Sequence, residues 1–254
     1  MSIDSSLYPM IYKRKSFHLF RNIGNEKITA NEIESIYKKY DELTPLYSDI
    51  KTKIKIVPAA ETTCKRGQEY CILIYSEKKD NYLPNVGYLG EQLDLYLTSL
   101  NIGTLWFGIG KTNEIPFEGL NFVIMIAISK IDDENKFRKD MFKSKRKPIE
   151  EIWLGEEITG ITNIIRFAPS ACNTQPWIVE HIGNSLNVYR YKKQGKRGIM
   201  PIDKVSFYNQ IDIGIFLCFL ELCLEHEEIK YEKECYIDMG KDIEKILVAK
   251  YNLQ

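Results

Sequence analysis

Ala168-Pro169-Ser170-Ala171-Cys172-Asn173-Thr174-Gln175-Pro176-Trp177 is the stretch on which the reading of this chain turns. It packs small residues, two prolines and two primary amides into ten positions, between a predicted helix over 157–167 and a predicted strand over 186–191. Asn173 and Gln175 each present a donor and an acceptor, so the pair suits the alternating edge of a planar heterocycle. The prolines stiffen the loop and reduce the entropy lost in holding those amides. Taken alone, the stretch also reads as a rigid helix-to-strand connection.

Three other segments carry chemistry. Arg14-Lys15-Ser16, followed by His18, sets two cations and a hydroxyl in succession. That set suits a phosphate dianion, because guanidinium can grip two oxygens while ammonium adds a point charge. Alone it reads more readily as a solvated basic helix end. Lys143-Ser144-Lys145-Arg146-Lys147-Pro148 reads as a charged linker or a nucleic-acid patch, but no aromatic residue is interleaved as a stacking platform. Gly103-Thr104-Leu105-Trp106-Phe107-Gly108-Ile109-Gly110 would let the backbone approach a flat ligand. It is not the dinucleotide fingerprint G-x-G-x-x-G.

Around these lies an α/β pattern. Thr29 and Glu32 have capping-box spacing and predict a helix through Ile33, Ile36, Tyr37 and Tyr40. Strands are predicted at 53–57, 70–75 and 122–128, the last an unbroken apolar run fit for burial on both faces. A helix over 85–100 lines Val86, Leu89, Leu93, Leu97 and Leu100 on one side and stops at Asn101-Ile102-Gly103. Residues 130–148 are crowded with charge and read as a crossing between two halves. A second helix, over 208–224, is apolar around most of its circumference, and a helix-strand closes the chain over 241–251. The order strand, long helix, strand occurs twice, which suggests a diverged internal duplication.

The 254 residues allow one large domain or two small ones, and the formal net charge of +0 gives no global reason to expect nucleic acid or an anionic membrane as partner. The most apolar run, 215–220, is too short by itself to span a bilayer, and the amino terminus does not read as a signal peptide. Six cysteines without C-x-x-C pairing fit a reduced, cytoplasmic protein with no structural metal.

Together and in this order the segments resemble the nitroreductase family of flavoproteins. Arg14, Lys15, Ser16 and Phe20 match its opening, and Leu100 through Gly108 looks like its L-G-x-G-T-x-W-x-G turn. Arg146 through Ile152 looks like its late K/R-x-P-L-E-E segment, and Pro169, Ser170, Asn173, Gln175, Pro176 and Trp177 match its P-S-x-x-N-x-Q-P-W loop. The loop comes late here, after the segment that normally ends the chain. This looks like a branch in which one chain mimics the family's dimer.

The resemblance implies an α+β, nitroreductase-like fold of antiparallel or mixed sheets with flanking helices. Its two diverged halves, 1–150 and 151–254, would form one intertwined pseudo-dimer, either monomeric or as a further homodimer. It implies one FMN, with Arg14, Lys15, Ser16 and Arg146 on the phosphate and ribityl chain. The loop, through Pro169, Ser170, Ala171, Asn173 and Gln175, would approach the flavin from the other half. The backbone of Phe107, Gly108, Ile109 and Gly110 would face the ring. His18 stands where the family often has a second arginine and offers less charge. The implied activity is hydride transfer from NAD(P)H to an electron-poor acceptor, and the alternative is a non-catalytic FMN-binding protein for storage or sensing. No catalytic acid or base can be nominated from the sequence.

Overall fold

The structure, a computed structural model, describes residues 2–191, 198, 200–239 and 244–254. After a short helix α1 (Met10–Lys13), Thr29 opens α2 (Ala30–Glu42) with the expected reciprocal capping box. Strands β1 (Thr52–Pro58) and β2 (Tyr70–Ser76) form a hairpin in antiparallel register from Thr52↔Ser76 to Pro58↔Tyr70. Helix α3 (Tyr82–Ser99) begins earlier than the pattern suggests, because Pro84 sits in its first turn, where no intrahelical N–H is needed. Asn101, at φ +57°, takes the left-handed position past its end and turns the chain into β3 (Ile102–Phe107). The apolar β4 (Asn121–Lys130) lies between β2 and β3, which explains its burial on both faces.

Residues 131–152 cross the molecule, and at β5 (Trp153–Leu154) the chain adds a parallel edge strand to the second sheet. The helix expected over 157–167 shrinks to α4 (Thr162–Ile165), since Gly160 at φ +77° interrupts the run. Directly after the amide-bearing loop comes β6 (Trp177–Ile182), a strand absent from the sequence reading, paired with β7 (Ser185–Tyr191). Helix α5 (Val205–His226) is longer than expected, and every residue from Tyr208 to Leu224 is buried. Its helical segment is long and apolar enough to cross a membrane by composition, yet it forms the centre of the core. Two antiparallel strands close the chain, β8 (Tyr231–Cys235) and β9 (Lys245–Leu253). Of the helix-strand expected over 241–251, the strand is present from Lys245 onward, and residues 240–243 lie outside the described residues.

The two sheets run in the orders β1-β2-β4-β3 and β5-β6-β7-β9-β8. Without β5, they share one topology, a hairpin, a long helix and a second hairpin whose first strand takes the edge. Each carries a register shift at the second strand of its first hairpin, at Ile74/Tyr75 and at Val188/Tyr189. Between the sheets α3 crosses α5 at two glycines. A Cβ on Gly87 would strike the carbonyl of Ile211, and one on Gly214 would strike the carbonyl of Pro84, so each backbone approaches the other reciprocally. Seven residues beyond each glycine stands a buried carboxylate, Asp94 in α3 and Glu221 in α5. Asp94 accepts from Thr104 Oγ1 at 2.5 Å and Trp106 Nε1 at 2.9 Å, both on β3. Glu221 accepts from Lys233 Nζ at 2.9 Å and Tyr231 Oη at 3.3 Å, both on β8. Each acid thereby pins its helix to the strand that follows it.

Candidate functional site

The basic opening is held by an edge. β3 is the outer strand of its sheet, and Phe17 N–H donates to Thr104 O at 2.8 Å while Ser16 bridges Thr104 in parallel. That lays Arg14 to His18 along the end of β3. The crossing segment is drawn to the same place: Arg138 N–H donates to Lys13 O at 3.0 Å, and Lys15 Nζ donates to Lys136 O at 2.8 Å.

The loop from the second half arrives opposite. Cys172, Asn173 and Gln175 all have positive φ, between +48° and +55°, so three non-glycine residues in four positions hold a left-handed backbone. Such conformations cost on the order of 1–3 kcal/mol each and persist only where the surroundings enforce them. Here the enforcement is visible. Gln175 N–H donates to Ser170 Oγ at 2.9 Å, and its Oε1 accepts from Lys147 N–H at 2.9 Å. Asn173 Oδ1 accepts from Arg146 Nη1 at 3.1 Å, while its Nδ2 donates to Lys145 O at 3.2 Å. Ala171 N–H donates to Asp212 Oδ1 of α5 at 2.9 Å.

Between these parts lies a cavity of about 830 Å³, within the range of about 300–1,000 Å³ usual for small-molecule sites. Of the expected residues it is lined by Arg14, Lys15, Ser16, His18, Phe107, Gly108, Ile109, Arg146, Pro169, Ser170, Ala171 and Asn173. Two stand apart. Gly110 is packed against Met125 behind the wall, and Gln175 is turned inward to brace its own loop. Gly108 lines the wall, but its lack of a side chain is explained by Tyr208, whose ring fills the space a Cβ would need and whose hydroxyl donates to Gly108 O at 2.8 Å. The sequence reading missed Arg66, Arg138, Lys139, Tyr208 and Asp212, all of which line the cavity.

The electrostatics are lopsided. Among the described residues, six cations line the space (Arg14, Lys15, Arg66, Arg138, Lys139, Arg146) against one carboxylic acid, Asp212. Arg14 is neutralised from behind, its Nε donating to Asp94 Oδ2 at 2.8 Å. Burial would lower its pKa, but the charges of Asp94 and Glu91 raise it. Glu91, 3.5 Å from Arg14 Nε, is so deeply buried that its carboxyl is pushed well up, against the lowering effect of Arg14. Burial and the nearby Arg14 pull Arg138 down to about 10. Burial, with Arg138, Arg14 and Arg166, does the same to Arg146. Arg146 spends its amino groups on Phe167 O, Lys145 O and Asn173, and its Nε is buried without a partner. Cations crowded enough to depress one another are stabilised by an anion placed among them. Part of the lining is apolar: Leu105, Phe107, Ile109, Ile124, Ile211 and Ile215.

Residues 6–224 match a family model described as "Putative TM nitroreductase". Among solved structures, a "putative nitroreductase" from Thermotoga maritima aligns over 100% of this chain and 94% of its own, at 19% identity and a TM-score of 0.62. A nitroreductase family protein from Clostridium novyi NT aligns over 51% of this chain and 87% of its own, at 18% identity and a TM-score of 0.39. A "putative nitroreductase in complex with fmn" from Desulfovibrio desulfuricans covers 60% of this chain and 97% of its own, at 15% identity and a TM-score of 0.41. No curated protein matches the sequence.

Proposed function

The chain belongs to the TM nitroreductase family, and we propose that it is an FMN-dependent oxidoreductase that passes a hydride from NAD(P)H to an electron-poor acceptor such as a nitroaromatic or a quinone. The observation that carries this reading is the cavity itself, an excess of crowded cations beside an apolar slot. A phosphate with a flat, largely apolar ring system fits both ends of it. Arg138, Arg146, Lys15 and Ser16 would hold the phosphate and ribityl chain, and Arg14 would lend charge from its pair with Asp94. The loop residues Ser170 and Asn173, with the β3 end at Phe107–Ile109, would flank the ring.

Bound there, FMN supplies the hydride chemistry; the protein binds, orients and excludes water. The strained loop backbone fixes donors before a ligand arrives, which lowers the ordering cost of binding. Crowded guanidinium groups favour negative charge gained by the occupant on reduction.

We also propose that the halves 1–150 and 151–254 are duplicated units forming an intramolecular pseudo-dimer. The shared strand order, the reciprocal glycine crossing and the equivalent acids Asp94 and Glu221 support it. At the position matching the cavity on the other side, Asn81 Nδ2 donates to Tyr47 Oη at 2.8 Å and to Tyr236 O at 3.0 Å, and Asn81 Oδ1 accepts from Asp238 N–H at 2.9 Å. These contacts support a reading with one site per chain.

Steady-state oxidation of NADH or NADPH by the FMN-loaded protein, with nitroaromatics and quinones as acceptors, tests the activity. Turnover with either nicotinamide is the expected result. Retained flavin without nicotinamide consumption would replace the enzyme with a flavin store or sensor.

A further inference from the structure

Asp212 is the one carboxylic acid among the described residues that line the cavity, and neither the family motifs nor the hydride chemistry uses it. It sits in α5 and is 3% exposed. Oδ1 accepts from Ala171 N–H at 2.9 Å; Oδ2 is buried with no hydrogen-bond partner among the described residues. Its neighbours along the helix on the cavity side are Tyr208, Ile211 and Ile215. The charged and titratable groups that line the same space are Arg14, Lys15, His18, Arg66, Arg138, Lys139 and Arg146 from the first half and crossing segment, Cys172 from the loop, and Tyr208 from α5 itself. None of these cations forms an ion pair with Asp212 among the described residues.

The duplicated architecture supplies a control. Asn85 stands two residues before the crossing Gly87, as Asp212 stands two residues before Gly214. Asn85 Oδ1 accepts from Tyr47 N–H at 3.0 Å, the same helix-to-loop tether that Asp212 makes to Ala171. A neutral amide therefore suffices to hold the loop. The cavity side instead has a carboxyl, whose burial is costlier unless it keeps its proton.

From this geometry we propose that Asp212 is a hydrogen-bond donor of the site, its Oδ2–H directed at an unprotonated ring nitrogen or carbonyl oxygen of the bound flavin. The inference rests on the flavin reading above. Burial supports it by pushing the Asp212 carboxyl up to about 8, against the lowering effect of the Ala171 amide. The acid keeps its proton at neutral pH and loses the donor on alkalinisation.

The test is FMN titration, followed by flavin fluorescence, of the wild type, Asp212→Asn and Asp212→Leu across the range from about pH 7 to about pH 9.5. If only the protonated form donates, wild-type affinity falls by up to about thirtyfold over that range. Asp212→Asn retains a donor that does not titrate, so its profile stays flat apart from the ligand's own ionisations, which both proteins share. Asp212→Leu binds more weakly than the wild type at about pH 7 and shows no added alkaline loss. In parallel, the infrared carbonyl band of a buried protonated carboxyl is expected in the wild type near pH 7 and missing from Asp212→Asn. A wild-type profile that superimposes on that of Asp212→Asn, or no such band, overturns the role given to Asp212 and leaves the flavin reading standing. Failure of the wild type to bind FMN at any pH overturns the flavin reading, and this inference with it.

Discussion

Removing the ionisable group at position 212 while keeping its shape should make the flavin-free protein more stable, and increasingly so as pH rises. Asp212 is held neutral to about 8 in the folded chain, against its ordinary value of 3.8. Between those values the unfolded chain releases a proton that the folded chain keeps, so stability falls with rising pH, by about 1.4 kcal/mol per unit, and levels off above about 8. The full window amounts to roughly 5–6 kcal/mol. Asparagine keeps the tether to Ala171 N–H and does not titrate. The stability gained by Asp212→Asn over the wild type should therefore widen by about 2.7 kcal/mol between about pH 5 and about pH 7. Urea denaturation of both proteins, stripped of flavin and followed by far-ultraviolet circular dichroism, measures this directly. A gap that stays constant over that range would refute the reasoning, because it would mean that Asp212 is ionised in the folded state.

Other substitutions probe the remaining parts. Arg14→Ala leaves Asp94 buried with only Thr104 and Trp106 as donors, and should destabilise the flavin-free fold by roughly 3–5 kcal/mol in urea denaturation. Arg138→Ala, which removes a cation with no carboxylate partner among the described residues, should weaken FMN binding by roughly 1.5–3 kcal/mol and flatten its salt dependence in fluorescence titrations at two ionic strengths. Gly87→Ala and Gly214→Ala each force α3 away from α5 and should cost roughly 1–3 kcal/mol. The double variant should cost less than their sum, since one separation relieves both contacts, and a thermal melt series shows whether it does.

Much of the first half was legible in the sequence because its signals are local. Thr29 with Glu32 and the unbroken run of β4 each declare their element without knowledge of the rest. The second half was harder. β8, Tyr-Glu-Lys-Glu-Cys, is an edge strand with three consecutive charged residues, and without its partner β9 it looks like solvated coil. β6 begins at Trp177, the last residue of the loop, so the motif concealed the strand. The two anchors of the site were readable because their residue types and order are unusual, and both line one cavity. Arg138 and Lys139 were not, since a cation in a charged tract looks solvated until the chain folds back on α1. Asp212 was visible only as the boundary of an apolar run, because the sequence does not say which polar residue of a buried helix meets a cavity.

The most direct measurement is the flavin content of the purified protein, taken after saturation with FMN, removal of excess and release by denaturation. One FMN per chain is expected, from a yellow protein with a single site between the opening basic segment and the Pro169–Trp177 loop. A colourless protein that takes up no FMN and gains no thermal stability from it would contradict the account.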